Sequence, residues 1–356
     1  MPKISIVLGT RPEIIKLSPI IRLVKKRDTE IIFSGQHYDF KLGLKFIEEL
    51  GLPRPDFILN LSRGDPAKQT GEMIQKFSEI FGSKKPDTVL VQGDTNTVLA
   101  GAIAGLKYNI PISHVEAGLR SYDWRMPEEH NRIATDHISE LLFAPTNIAK
   151  KNLLNEKVHG KIFVTGNTAI DAIEQNLNLA AKKATVNIDD DFILMTLHRA
   201  ENVDEKRTLG NILSAIIQSG EKIVFPIHPR TLKRVHEFGL YQKIRNAKNV
   251  TLINAVGYFD MLLLMKKCKF IISDSGGIQE ESTSPKIRKK VLVVRKATDR
   301  PEAVKSGFSV VVGTNMNSIL KAIKRNSENP RYPKGASPYG NGKSSEKIMK
   351  IINQFF

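Results

Sequence analysis

Twelve short apolar runs, most of them rich in β-branched residues and separated by helix-like or polar stretches, confine this chain to few folds. The first six are residues 4–8, 30–33, 88–91, 111–115, 141–144 and 161–164. The second six are residues 192–196, 222–226, 250–253, 270–272, 291–294 and 308–312. Near-continuous apolarity is what a strand buried on both faces requires, and strands alternating with helices build parallel sheets. The chain therefore reads as α/β, with two successive doubly wound, Rossmann-like units. Its 356 residues also exceed the size at which a single core stops growing. The expected division is 1–167 and 168–343, with the amphipathic segment 344–356 completing the first unit and 167–185 as the connection.

Composition narrows the function classes. A single cysteine, Cys268, cannot form an internal disulfide, and no Cys/His cluster has metal-ligand spacing. No apolar run approaches the roughly 20 residues of a membrane helix, and the Met-Pro-Lys start lacks a signal-peptide pattern, so cytoplasm is the expected location and no membrane partner is expected. The formal charge of +17 is spread along the chain and not gathered with aromatics, which favours a solvated basic surface and a few arginines for an anionic substrate over nucleic acid.

Doubly wound sheets bind ligands beyond the carboxyl ends of their strands, and there the chain is unusually polar. Asp274-Ser275-Gly276-Gly277-Ile278-Gln279-Glu280-Glu281 follows an apolar run and opens a helix. Ser275 and the side-chain-free Gly276 and Gly277 let a diphosphate reach free backbone N–H groups, while Glu281 is spaced to accept from a ribose diol. Gly9-Thr10-Arg11-Pro12-Glu13, with Lys16, follows the first run; Arg11 and Lys16 suit phosphate or sugar contacts. No Gly-x-Gly-x-x-Gly and no Walker Gly-Lys-Ser/Thr occurs, which removes the dinucleotide fingerprint and the P-loop.

Gly93-Asp94-Thr95 and Val115-Glu116-Ala117-Gly118-Leu119-Arg120 end two runs that would neighbour each other, and Pro127-Glu128-Glu129 opens a helix containing Asn131 and Arg132. Converging carboxylates at Asp94, Glu116 and Glu128 suit acid/base work on a weakly acidic C–H or hydroxyl, with like charges raising one pKa. For each alone, helix capping or a response to the helix dipole is an equal reading. His198-Arg199-Ala200-Glu201-Asn202 puts an imidazole where leaving-group charge could be met, and Thr298-Asp299-Arg300-Pro301-Glu302 adds Arg300 as a binding position.

Taken in order, the six motifs that begin at Gly9, Gly93, Val115, Pro127, His198 and Asp274 resemble the non-hydrolysing UDP-N-acetylglucosamine 2-epimerases over nearly the whole chain. The resemblance implies two Rossmann-like domains facing a central cleft in the GT-B manner, a homodimer, no metal and no nicotinamide. It implies reversible conversion of UDP-N-acetylglucosamine (UDP-GlcNAc) to UDP-N-acetylmannosamine (UDP-ManNAc) by loss and re-addition of UDP through 2-acetamidoglucal. Carried over by motif, Asp94, Glu116 and Glu128 correspond to catalytic carboxylates and His198 to the residue assisting UDP, while Arg11, Lys16, Ser275, Gly276, Gly277, Glu281 and Arg300 correspond to substrate contacts. Spacing does not assign which carboxylate takes the proton. A hydrolysing epimerase releasing UDP and ManNAc, and a 2-epimerase of a 2,3-diacetamido UDP-sugar, are the alternatives. The chain departs from the family at Ser284-Pro285-Lys286-Ile287-Arg288-Lys289-Lys290, expected as a longer basic surface loop. Some relatives also bind UDP-GlcNAc as an activator near a Gln-His pair, here Gln36-His37 followed by Tyr38-Asp39.

Overall fold

The computed structural model describes residues 2–36, 40–62, 64–330 and 333–356, so His37, Tyr38 and Asp39 lie outside the described residues. All twelve apolar runs are strands. The first sheet contains β1 (Ile4–Leu8), β2 (Thr29–Phe33), β3 (Phe57–Ile58), β4 (Thr88–Gln92), β5 (Ile112–Val115), β6 (Leu141–Ala144) and β7 (Lys161–Val164). The second contains β8 (Ile193–Thr196), β9 (Ile223–Ile227), β10 (Val250–Asn254), β11 (Ile271–Ser273), β12 (Val291–Val293) and β13 (Ser309–Val311). Only β3, two residues long at the sheet edge, has no counterpart among the runs read from sequence.

Both sheets are parallel and wound outward from the middle. Their orders are β3-β2-β1-β4-β5-β6-β7 and β10-β9-β8-β11-β12-β13, so strand order reverses beside β1 and β4 in one and beside β8 and β11 in the other. At such a reversal the loops leave on opposite faces and open a crevice, which makes these two points the places to look for a site. The inner strands are buried on both faces, as Ile6, Val7, Leu90, Val91, Ile193, Leu194, Ile271 and Ile272 show.

Compact units comprise Met1–Ala172 with Tyr339–Phe356, and Ile173–Pro338. The helix Thr168–Lys183 carries the chain from one to the other. In the first unit Asp171 accepts from the amides of Ser344 (3.1 Å) and Ser345 (2.7 Å), capping the helix Ser344–Phe355 with a buried carboxylate. Phe355 at the far end of that helix meets Phe163 edge-on at 6.0 Å.

The helix Asn96–Lys107 sits unusually close to the first sheet because it presents Gly101 and Gly105 one turn apart. A Cβ at Gly105 would meet Ile112 at 2.6 Å and Val89 at 3.1 Å. That close approach fixes the start of the helix, and with it Asp94 and Thr95, against the end of β4.

The basic segment from Ser284 to Lys290 corrects the expectation of a surface loop. Ser284 and Ile287 are buried, and the Ser284 hydroxyl and Lys286 amide both donate to Glu174, at 2.6 and 3.1 Å. Arg288 donates to the Pro333 and Gly335 carbonyls, with its guanidinium 5.7 Å from the Phe308 ring centre. Burial pushes the Lys289 ammonium below its ordinary range and Cys268 up to about 12, leaving a thiol with little nucleophilic form.

Candidate active site

At the first reversal, Glu13 joins the β1 and β4 loops. It is almost fully enclosed, at 2 % exposure, and accepts from the Gly9 and Thr10 amides and the Thr95 hydroxyl. Thr95, not Asp94, caps the helix Asn96–Lys107. Freed from capping, the Asp94 carboxylate pairs with Arg132, whose other nitrogen donates to Glu129 at 2.8 Å. Asn131 holds the Asp94 carbonyl at 3.0 Å.

Burial pushes Glu13 up to about 7, assisted by the nearby Asp94 charge and opposed by its three donors. A carboxyl whose folded pKa lies above its unfolded value gives stability that is complete below the unfolded pKa and lost as pH rises through the folded one. Stability is thus expected to fall between about pH 4.5 and about pH 7, by roughly 3 kcal/mol if Glu13 alone is responsible. Urea midpoints at the two ends of this range, compared between wild type and Glu13→Gln, check this: the slope should flatten in the variant, and an unchanged slope excludes Glu13 as its source.

β5 runs beside β4, and Glu116 follows it with φ of 72°, a left-handed backbone that a non-glycine residue adopts only when its surroundings enforce it. Lys16 supplies that enforcement by donating to both carboxylate oxygens at 2.7 Å, and Gln92 at the end of β4 donates from the other side. Gly118 then closes the turn at φ of 81°; a Cβ there would press on the Ala149 carbonyl at 2.4 Å.

Asp94 and Glu116 therefore emerge at adjacent strand ends as expected, but each has its own cation. The Lys16 ammonium is bound to Glu116. Arg11 is exposed, its guanidinium 4.6 Å from the Phe46 ring centre.

The Glu128-Glu129 doublet divides in two. Glu129 is fully buried and accepts from the Ser121 and Tyr122 amides (3.0 and 2.8 Å), the Ser121 hydroxyl and Arg132. Glu128, one residue earlier on the helix Pro127–His137, is exposed. Glu129, Arg132 and Asp136 recur three and four residues apart, which is one helix face, and that polar periodicity was the available signal for the brace.

In the second unit the reversal is bolted by Asp274. Its carboxylate accepts from the amides of His198 (3.1 Å) and Arg199 (2.8 Å) and from Asn202 Nδ2 (3.1 Å), so it ties the β8 loop to the end of β11. Burial works against this charge, but the His198 side chain and the amide donors outweigh it and hold Asp274 below its ordinary range. Such a carboxylate adds stability at neutral pH that is lost only as pH falls through its depressed pKa.

His198 Nδ1 lies 3.1 Å from Asp274, which leaves Nε2 as the nitrogen for a ligand. The His228 ring centre is 5.6 Å away; burial, then the His198 charge, pushes His228 below its ordinary range.

Ser275 caps the short helix Gly276–Glu281, and Glu281 lies half-buried at its last residue. Arg300 stands beside it, held by Glu280 and by Asp299 at 3.2 Å. A Cβ on Gly276 would meet the Arg300 guanidinium carbon and Asp299 Oδ1 at 3.4 Å, an ordinary contact distance, so the helix start lies directly beside that cation. Among the described residues no cluster of His, Cys, Asp or Glu could hold a metal ion, and no helix is long and apolar enough to cross a membrane.

Two doubly wound sheets with polar, charge-paired loops at both reversals define a two-domain α/β enzyme. The sequence model of the UDP-N-acetylglucosamine 2-epimerase family matches residues 22–353. The chain is 49 % identical over 364 aligned positions to the UDP-N-acetylglucosamine 2-epimerase of Methanocaldococcus jannaschii, covering 98 % of each protein. It is 36 % identical to the UDP-2,3-diacetamido-2,3-dideoxy-D-glucuronate 2-epimerase of Pseudomonas aeruginosa, over 98 % of this chain and 99 % of that one. The crystal structure of the Methanocaldococcus enzyme in complex with UDP-GlcNAc and UDP superposes with a TM-score of 0.85, at 46 % identity and 99 % coverage of both chains. The chain belongs to the UDP-N-acetylglucosamine 2-epimerase family, a family of isomerases.

Proposed function

We propose that the protein interconverts UDP-GlcNAc and UDP-ManNAc without consuming water. A carboxylate removes the C2 proton, the C2–H electrons form a C1–C2 double bond, and the C1–O bond breaks with its electrons passing to the departing UDP. UDP then adds back to the resulting 2-acetamidoglucal, and a proton is delivered to the opposite face of C2. The observation that carries this reading is the pair of carboxylates, Asp94 and Glu116, held by separate cations at the ends of adjacent strands. Each is an oriented carboxylate, as proton transfer at a fixed carbon requires.

Glu128, exposed at the start of its helix, is the third carboxylate of the set. His198 supports departure and return of UDP, with Asp274 orienting its ring and Nε2 left for the phosphate. Ser275, Gly276, Gly277 and Arg300 form the diphosphate position, supported by the closeness of the Arg300 guanidinium to the helix start at Gly276, and Glu281 serves the ribose. Arg11 and Lys16 complete the substrate-facing cations, Lys16 acting through Glu116. Family kinship also carries the proposal of a cytoplasmic homodimer, which sedimentation of the purified protein tests.

Proton NMR of the protein with UDP-GlcNAc in D2O tests the reaction. The expected result is UDP-ManNAc, with deuterium at C2 of both sugars. UDP with free ManNAc would transfer the reading to a hydrolysing epimerase. No exchange here, but turnover of a 2,3-diacetamido glucuronate, would move the substrate to that of the Pseudomonas relative.

A further inference from the structure

One buried titratable residue lies among the segments that carry the carboxylates and has no part in the chemistry above. His114, on β5, is fully enclosed. Its Nδ1 is 2.7 Å from Asp136 Oδ1 and its Nε2 is 2.8 Å from the Gly93 carbonyl oxygen. A peptide carbonyl can only accept a hydrogen bond. Asp136 is an acceptor on its other side too, taking the Gly118 amide at 3.1 Å and Arg120 at 2.8 Å. Arg120 in turn donates to Glu156 at 2.7 and 2.6 Å. Both nitrogens of the His114 ring therefore act as donors.

The ring joins the segments that carry all three proposed catalytic carboxylates. Gly93 immediately precedes Asp94. Gly118, held by Asp136, closes the left-handed turn that begins at Glu116. Asp136 lies on the helix Pro127–His137, which carries Glu128 in its first turn and also reaches Asp94 through Asn131 and Arg132. An amide at position 114 could supply donors from one atom only, whereas imidazole spans from a carbonyl to a carboxylate on opposite edges of one rigid ring.

We propose that His114, donating from both ring nitrogens to Gly93 and Asp136, is a positioning residue for the C2 proton transfers, fixing the Asp94 loop, the Glu116 turn and the Glu128 helix in one register. The inference rests on the epimerase reading above. Displacing reacting groups by about 1 Å costs on the order of 10²-fold in rate, which sets the scale of the effect.

The test measures C2 deuterium incorporation, KM, UDP affinity and thermal melting for wild type, His114→Asn and Asp136→Asn, with ring ¹⁵N NMR of histidine-labelled protein. The expected result is a fall in kcat of about 10²-fold in folded variants with KM and UDP affinity retained. The wild-type spectrum should show two slowly exchanging N–H signals from His114. Wild-type kcat in a folded variant, or parallel loss of kcat and UDP binding, overturns the inference. So does a His114 ring with a single N–H, which decides the matter even if the variants do not fold. Wild-type protein that incorporates no deuterium defeats the epimerase reading instead, while the ring spectrum still reports on the two-donor arrangement.

Discussion

Glu116→Gln is expected to lower C2 exchange by about 10²- to 10⁴-fold, the range over which a positioned acid or base contributes, with UDP binding retained. The amide keeps the shape and can still accept from Lys16 or Gln92, but it cannot take or return a proton. Deuterium incorporation followed by NMR, beside calorimetric titration with UDP, separates the two effects. Exchange at the wild-type rate would remove Glu116 from the chemistry.

The neighbouring doublet supplies an internal control. Glu128→Gln should lose turnover with an unchanged melting temperature, because Glu128 is exposed. Glu129→Gln should melt lower, because a buried carboxylate with charge-assisted partners is replaced by an amide whose NH₂ group opposes those donors. The reverse pattern would mean that the side chain meeting the substrate is Glu129.

Asp274→Ala is the substitution with the largest expected effect on stability. It strands the amides of His198 and Arg199 and the side chain of Asn202 without their acceptor. Removing one partner of a buried charged network costs about 3–5 kcal/mol. At roughly 2–4 °C per kcal/mol for a unit of this size, the melting transition should fall by about 10 °C. Differential scanning calorimetry of wild type and variant reads this directly, and a shift of only a degree or two would show that water replaces the carboxylate. UDP affinity should fall with stability, since His198 loses the group that orients its ring.

Glu13 and Asp274 do equivalent work in the two units. Each is a buried carboxylate that closes the gap where strand order reverses by accepting backbone N–H groups from an adjoining loop. They differ in electrostatics. Among the described residues Glu13 has no cation paired with it and burial prevails, whereas Asp274 has the His198 ring and burial is overcome.

How much of this was legible beforehand depends on the range of the interaction. Strand positions follow from local composition, because a strand covered on both faces must be apolar throughout, and the polar clusters at the strand ends mark where a doubly wound sheet opens. β3 escaped because two residues, Phe57 and Ile58, are too few to form a pattern. The strand ends named Asp94, Glu116, His198 and the Gly276-Gly277 turn, and the ordered motifs named the family.

Partners were another matter. Lys16 meets Glu116 across one hundred positions of sequence, Glu13 meets Thr95 across 82, and Ser284 meets Glu174 across 110. None of these pairs is implied by spacing along the chain, since each depends on which strands lie side by side and how deeply each helix seats on its sheet. For the same reason the tertiary structure alone decided that Thr95 caps its helix and frees Asp94 for Arg132, that Glu129 and not Glu128 is buried, and that the basic segment after Ser284 is anchored. The sequence by itself determined the strands, the family and the polar strand ends, because these rest on local pattern and ordered motifs. Which charge neutralises which was settled only when packing brought distant side chains within hydrogen-bond reach.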